Sequence, residues 1–198
     1  ANTAFVGRYK YDLGSDSTVG TLVTDRRSSD GYFNRLFAVD ALLRPTQADS
    51  ITLNGSWSST QYSPEMQAEL DLGPEEISGH ALQAEYVHTT RDWFAFVEYS
   101  DYADDFRADL GFIPQVGYRA AAAGGGYLWW GEDEDFYNNL EVGGFVGRIE
   151  DQDGGLLNQD TQAWFQIEGP LQSNLHYEFG ERTIVHEGVR YDNLFVPI

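Results

Sequence analysis

Polar and apolar side chains alternate at nearly every step along much of the chain. Between Ile51 and Ser58, Ile, Leu, Gly and Trp interleave with Thr, Asn and Ser, and residues 162–168 and 175–180 repeat the pattern. Successive side chains of a β-strand point to opposite faces, so each such strand has one apolar and one polar face. Aromatic residues gather near the strand ends. The pattern predicts a membrane barrel, apolar outside and polar inside, rather than a soluble sandwich.

Turn residues divide the sequence into about ten strands at hairpin-like spacing. Several of these runs exceed ten residues. That length suits a tilted membrane crossing of about nine to eleven residues better than the strand of about five or six that is usual in soluble domains. The predicted strands are Ala4–Asp12, Thr18–Arg27, Tyr32–Arg44, Ser50–Gln61, His80–Thr89, Asp92–Ser100, Val116–Trp130, Phe136–Glu150, Thr161–Gly169 and Asn174–Thr183.

We therefore predict an all-β fold, an antiparallel up-and-down meander that forms a transmembrane β-barrel or a segment of one. It is expected to be a single domain over residues 1–198. Helix is predicted only at Pro64–Leu72, where Pro stands near the start and Gly73 acts as the stop. The tract Ala120–Gly126 consists of small residues, which let a barrel wall bend or let a plug or neighbouring chain pack closely.

Composition narrows the class of protein further. No apolar run approaches the roughly 18 residues that a membrane helix needs, which excludes a helical membrane protein. The 32 acidic and 12 basic residues give a net charge of -20, which argues against a nucleic-acid partner. The absence of cysteine excludes thiol catalysis and disulfides. The acidic residues cluster in turns, where they are interpreted as solvated loops or, alternatively, as divalent-cation contacts at a lipopolysaccharide surface.

The segment Phe106–Gln115, followed by Tyr118 and Arg119, resembles a motif of an uncharacterised family of bacterial outer-membrane proteins. Members join an N-terminal family-9-type carbohydrate-binding module to a C-terminal β-barrel. The early segments resemble the first hairpin and the next strand of that barrel; they are Val6–Gly14, Ser17–Thr24 and Asn34–Ala41. The motif residues of this chain are Asp109, Gly111, Phe112 and Pro114.

The resemblance implies a Gram-negative outer-membrane location, with membrane lipid and lipopolysaccharide as partners and glycans as further candidates. It brings no catalytic residues and no cofactor. Gln115 stands where the family usually has Arg, and these 198 residues do not contain the carbohydrate-binding module, so sugar binding is not transferred to them. We expect a fragment of a longer protein, or a barrel that other chains complete.

Polar-face positions of the predicted strands supply candidate lumen or ligand residues. Trp164 lies among amides and acids, where it is expected either to stack on a sugar ring or to pack against a plug. Glu98, Glu168 and Glu178 are the carboxylates from which a glycosidase would need a pair at defined separation. The full set is Asn34, Asp40, Asn54, Glu98, Trp164, Gln166, Glu168, His176 and Glu178.

No metal site is predicted. Asp151 and Asp153 imitate the start of a calcium loop, but Gln162 stands where the bidentate Glu of an EF-hand would be. The leading hypothesis is a non-enzymatic outer-membrane β-barrel serving as a channel, a surface scaffold or a glycan-associated uptake component. The alternatives are a soluble carbohydrate-binding β-sandwich and a glycan-active enzyme.

Overall fold

Eleven antiparallel strands follow one another in a single sheet in the computed structural model, which describes residues 1–14, 16–111 and 113–195. Their spatial order is their sequence order. This confirms the predicted all-β, up-and-down meander. The barrel itself stays a prediction, because the sheet is not closed in the described part of the chain. The strands are β1 Asn2–Asp12, β2 Thr18–Ser28, β3 Phe33–Leu43, β4 Asp49–Gln61, β5 Ile77–Thr89, β6 Trp93–Tyr102, β7 Tyr118–Trp130, β8 Asn139–Asp151, β9 Leu156–Glu168, β10 Asn174–His186 and β11 Val189–Phe195.

The prediction of about ten strands missed β11. Glu187 and Gly188 both have positive φ, 51° and 76°, and they join β10 to β11 so that His186 pairs with Val189. Positive φ at both central residues matches the right-handed twist of the flanking strands. The sequence signal is weak here because Glu rarely takes this conformation, and because polar Asp192 and Asn193 stand side by side.

The other strand differences lie mainly at the ends. β9 begins at Leu156, five residues before its predicted start, because Asp151 and Gly155 close the β8–β9 turn with a 2.8 Å backbone hydrogen bond. Adjacent Leu156 and Leu157 hide the alternation there. A bulge between Ile149 and Glu150 shifts the β8–β9 register beside this turn.

The predicted helix is confirmed as α1, Pro64–Leu70. Ser63 caps its N-terminus, since its hydroxyl accepts a 3.3 Å hydrogen bond from the Met66 amide. Asp71, with φ 53°, ends the helix in the left-handed conformation two residues before the predicted stop. Among the described residues, no helix is long and apolar enough to cross a membrane.

The chain divides into two compact units. The first consists of Ala1–Arg44, Ile51–Ala84 and Ser100–Arg119, and the second of Pro45–Ser50, Glu85–Tyr99 and Ala120–Ile198. The buried apolar cluster of the first unit contains Leu36, Ala81 and Phe106.

Candidate functional site

One face of strands β2, β3 and β4 in the first unit carries buried polar side chains. Thr24 pairs with Leu36, which pairs with Ser58, and Asn34 pairs with Thr60 in the next row. These five residues share one side of the sheet, which we call the covered face. Asn34 and Thr60 are fully buried at 0% exposure. A polar strand face that is buried needs partners for its hydrogen-bonding groups.

The segment between β6 and β7 provides those partners. We call residues Ala103–Gly111 the docked segment, because its backbone lies on the covered face. The side-chain NH₂ group of Asn34 donates a hydrogen bond to the Arg107 backbone carbonyl at 3.1 Å. The side-chain oxygen of Asn34 accepts a hydrogen bond from the Asp109 backbone N–H at 3.2 Å. The NH₂ group also donates to the Thr60 hydroxyl at 2.8 Å. The Arg107 amide donates to the Ser58 hydroxyl at 3.0 Å. Asn34 therefore holds the segment through both ends of its side-chain amide.

Phe106 is the apolar anchor of the docked segment. It is 2% exposed and packs with Leu36 and Ala81. Its backbone passes over Gly79 of β5, where a Cβ atom would overlap the Phe106 nitrogen. Glycine is required at this position because no side chain leaves room for the approaching backbone.

Tyr32 and Asp109 close the far end of the docked segment. The buried Tyr32 hydroxyl donates a short hydrogen bond to the Asp109 carboxylate. Two effects raise the pKa of the Tyr32 phenol above its ordinary value: burial is the larger, and this hydrogen bond is the second. The phenol therefore stays neutral and keeps donating throughout the physiological pH range.

The family-motif residues of the sequence fall in and beside this segment. Asp109 takes part in docking as described, and the Gly111 amide closes a turn by donating to the Ala108 carbonyl at 2.9 Å. Pro114 is exposed. Phe112 lies outside the described residues.

The opposite face of β1–β4, which we call the apolar face, carries exposed aromatic and aliphatic side chains. Val23, Phe37 and Trp57 form one cross-strand row. Phe37 is 46% exposed and Trp57 is 47% exposed, and their rings stack 6.2 Å apart. A groove of about 460 Å³ runs along this face between Tyr9 and Leu53. Other exposed members are Phe5, Tyr11, Val39 and Leu53.

Two more predicted lumen residues lie on the side of the covered face. Asp40 pairs with Asn54 in the β3–β4 register. Its carboxylate forms an ion pair with the Arg8 guanidinium at a distance of 2.8 Å. Gly20 lies between the two residues, and a side chain at that position would collide with both groups. Asp40 is thus held in an ion pair that links β1 to β3 on this side of the sheet.

Five predicted candidates of the second unit come together on β9 and β10, on a surface that we call the polar wall. The register places Trp164 opposite Glu178, Gln166 opposite His176, and Glu168 opposite Asn174. Gln166 contacts His176 at 3.3 Å and donates to Glu168 at 3.2 Å. The His176 ring nitrogen lies 3.7 Å from the Glu178 carboxylate. Hydrogen bonds thus join Gln166, Glu168 and His176 within the polar wall.

Sequence reasoning missed the residues that extend the polar wall. Glu141 on β8 accepts a 2.7 Å hydrogen bond from the Trp164 indole, and Asn139 donates to Glu168 at 2.6 Å. Phe94 lies beside Trp164 with ring centroids 6.4 Å apart and planes 16° from parallel. The signal that would have found them is strand pairing, which a single sequence does not display.

Glu98 lies on β6 and is exposed. It shares a strand face with Phe94 and Phe96 because strand side chains alternate. The Asp151 carboxylate accepts hydrogen bonds from the Asp153 amide at 3.0 Å and the Gly155 amide at 2.7 Å. Asp151 thus shapes its own turn, and the described residues contain no group of three or more His, Cys, Asp or Glu arranged to hold a metal ion.

Comparison with known proteins gives no relative: no protein-family model, curated protein or solved structure matches this chain. The resemblance of the Phe106–Gln115 segment to outer-membrane barrels therefore stays a prediction.

Proposed function

We propose that this chain is a non-enzymatic outer-membrane β-barrel protein, or part of one, whose strands place the apolar face against lipid. One observation supports this most strongly. In the first unit, the side of the sheet that the chain itself covers carries buried polar side chains, with Asn34 and Thr60 at 0% exposure, next to the small apolar cluster of Leu36, Ala81 and Phe106. The apolar side is the side left open. Soluble proteins bury apolar faces and rarely expose apolar patches of this kind.

The second unit has the same contrast between its own two strand faces. Val142, Phe165 and Tyr177 form a cross-strand row, and Gly144, Ala163 and Phe179 form the next. Val142, Tyr177 and Phe179 are exposed. The alternate positions of the same strands carry the polar wall. Apolar-out and polar-in alternation is the arrangement of transmembrane barrel strands.

Strand length supports the same proposal. β1 to β10 contain 10 to 13 residues each. A tilted strand of about nine to eleven residues crosses the hydrocarbon core. The rival soluble β-sandwich requires a second sheet packed on the apolar face, whereas the described strands belong to one sheet and leave that face exposed.

Within this proposal, the docked segment occupies part of the barrel interior and supports a scaffold or a narrowed channel. Closure of the barrel would provide hydrogen-bond partners for the backbone N–H and C=O groups of the edge strands. Such groups cost several kcal/mol each when they are unpaired in hydrocarbon. Further strands from the same protein or from other chains are the partners for that closure. The acidic composition favours cations over anions as solutes, and lipid and lipopolysaccharide are the proposed surroundings.

Fractionation of cells that express the protein tests the proposal. We expect it in the sarkosyl-insoluble envelope fraction, and we expect its gel mobility to change on boiling, since a folded barrel resists SDS at room temperature. A periplasmic protein that purifies without detergent as a single monodisperse species would overturn the placement.

A further inference from the structure

Four aromatic rings of the second unit lie over glycines of the strand wall; we call Phe94, Phe96, Phe145 and Trp164 the ring row. A Cβ on Gly124 would lie 2.7 Å from two Phe96 ring carbons, and one on Gly126 would lie 2.8 Å from the Phe94 ring. One on Gly143 would overlap the Trp164 indole, and one on Gly147 would lie 2.7 Å from the Phe145 ring. The small-residue positions of β7 and β8 therefore make room for rings.

The rings meet in two pairs. Phe94 and Trp164 have centroids 6.4 Å apart, and Phe96 and Phe145 have centroids 6.2 Å apart with planes 24° from parallel. All four rings are half-buried, so each keeps an accessible surface. The missing glycine side chains let the rings pack against the strand backbone, so the aromatic surface of the ring row is already present without a ligand.

The charges around the ring row are negative. Glu141 touches the Trp164 indole, Glu178 pairs with Trp164 in the β9–β10 register, and Glu98 lies two residues beyond Phe96 on the same strand face. No Lys or Arg in the described part of the chain forms an ion pair with these three carboxylates. Arg182 lies on the same face of β10 as Glu178, four residues further along the strand, and it forms an ion pair with Asp160 at 2.5 Å.

We propose that the ring row binds an organic cation, a substituted ammonium that carries an apolar or aromatic group. Ring faces attract cations within about 6 Å of the centroid through the ring quadrupole, and quaternary ammonium groups are recognised by clustered aromatic rings. The three carboxylates add the charge complementarity, and the half-buried rings add an apolar surface for the rest of the ligand. The inference deepens the proposed function, because such a cation would be a solute or ligand of the interior.

Calorimetric titration with benzyltrimethylammonium tests the site, using folded protein in detergent or in buffer, whichever form the protein adopts. We expect saturable binding, with benzyl alcohol showing none at the same concentrations. Phe94→Leu and Trp164→Leu should each weaken binding about 2- to 30-fold, the range for one cation–π contact. Glu178→Gln should weaken binding and reduce its dependence on salt.

Tyr177→Leu is the matched control, since Tyr177 neighbours Glu178 on β10 but lies on the other strand face. It should leave the binding constant unchanged. Gly143→Ala keeps every ring and charge but pushes the Trp164 indole from its place, so it should weaken binding in a protein that still folds. Folding of each variant is checked by circular dichroism before titration.

Absence of saturable binding to the folded wild-type protein would overturn the inference, as would equal losses for Tyr177→Leu and Trp164→Leu. Saturable binding of a linear glucose oligomer in place of the cation would also overturn it, by assigning the ring row to sugars. These outcomes are separate from the proposed function, because the titration does not require the protein to lie in a membrane, and fractionation does not require a ligand.

Discussion

Replacing Asn34 by Ala is expected to release the docked segment and to lower the free energy of unfolding by about 3 kcal/mol. The substitution leaves the Arg107 carbonyl, the Asp109 amide and the Thr60 hydroxyl without the partner that they have in the wild-type protein. Each buried group left unsatisfied costs about 1–3 kcal/mol, reduced where water enters the gap. Because this loss lies in the docking contacts, the segment should open before the strands separate.

Trypsin measures this opening directly, because Arg107 lies inside the docked segment. Cleavage after Arg107 should be about 100-fold faster in Asn34→Ala than in the wild-type protein, the factor that corresponds to about 3 kcal/mol. Urea unfolding of the same samples measures the total loss of stability. Gly79→Val should act in the same direction, since its side chain would displace the Phe106 backbone.

Asn54→Ala is the matched control for Asn34→Ala. Asn54 lies on β4, on the same side of the sheet, and is only partly buried. It should change the cleavage rate after Arg107 by less than about twofold, as surface substitutions usually change stability by at most about 0.5 kcal/mol. Equal rates in the two variants would show that the Asn34 contacts do not hold the segment.

Replacing Phe37 by Arg is expected to prevent stable folding into lipid vesicles. Phe37 lies near the middle of β3 on the apolar face. Arginine at mid-membrane on the lipid-facing side of a barrel costs about 2–4 kcal/mol, and loss of the contact between the Phe37 ring and lipid adds about 2 kcal/mol. The folded fraction in dioleoylphosphatidylcholine vesicles, measured by gel mobility without boiling, should fall to near zero.

Asn54→Arg introduces the same charge near the middle of β4 on the polar side, opposite Asp40. It should fold as the wild-type protein does, because in the proposed barrel that side faces the aqueous interior and Asp40 supplies a carboxylate. If Phe37 instead lies on the surface of a soluble protein, Phe37→Arg should leave stability almost unchanged. That result, with normal folding of both variants, would contradict the lipid-facing assignment.

The strand pattern was predictable because alternation is local. Each of the ten predicted strands overlaps one strand of the sheet, and the short helix starts at its predicted Pro64. The period of two also separates the polar residues Asn34, Gln166 and Glu178 from the apolar face without any knowledge of pairing. Barrel closure and the single-domain assignment stay predictions.

The docked segment was only partly predictable. Gly111 and Pro114 indicate a structured turn, and the described residues 103–111 and 113–117 contain no strand. Its docking on the covered face depends on Asn34, which is 73 residues away from Arg107 in sequence. Glycine is needed at position 79 because the Phe106 backbone passes close to it. The alternation of residues along β5 does not indicate this contact, because Phe106 is distant in sequence.

The ring row was missed for a related reason. Phe94 and Phe96 stand two residues apart on β6, which identifies a shared face but gives no sign of Trp164 or Phe145. Only the pairing of strands brings the rings together over Gly124, Gly126, Gly143 and Gly147. The tract of small residues was visible in the sequence, and its structural reason is the space that these rings occupy.

Quenching of Trp57 by brominated acyl chains tests most directly whether lipid solvates the apolar face. The protein used has Trp57 as its single tryptophan, with the other four replaced by Phe, and it is folded into vesicles whose lipids carry bromine at mid-chain. We predict strong quenching of Trp57 relative to unbrominated vesicles, because its half-exposed ring lies on the apolar face. Unchanged fluorescence, with the folded protein recovered in the aqueous phase, would contradict the account.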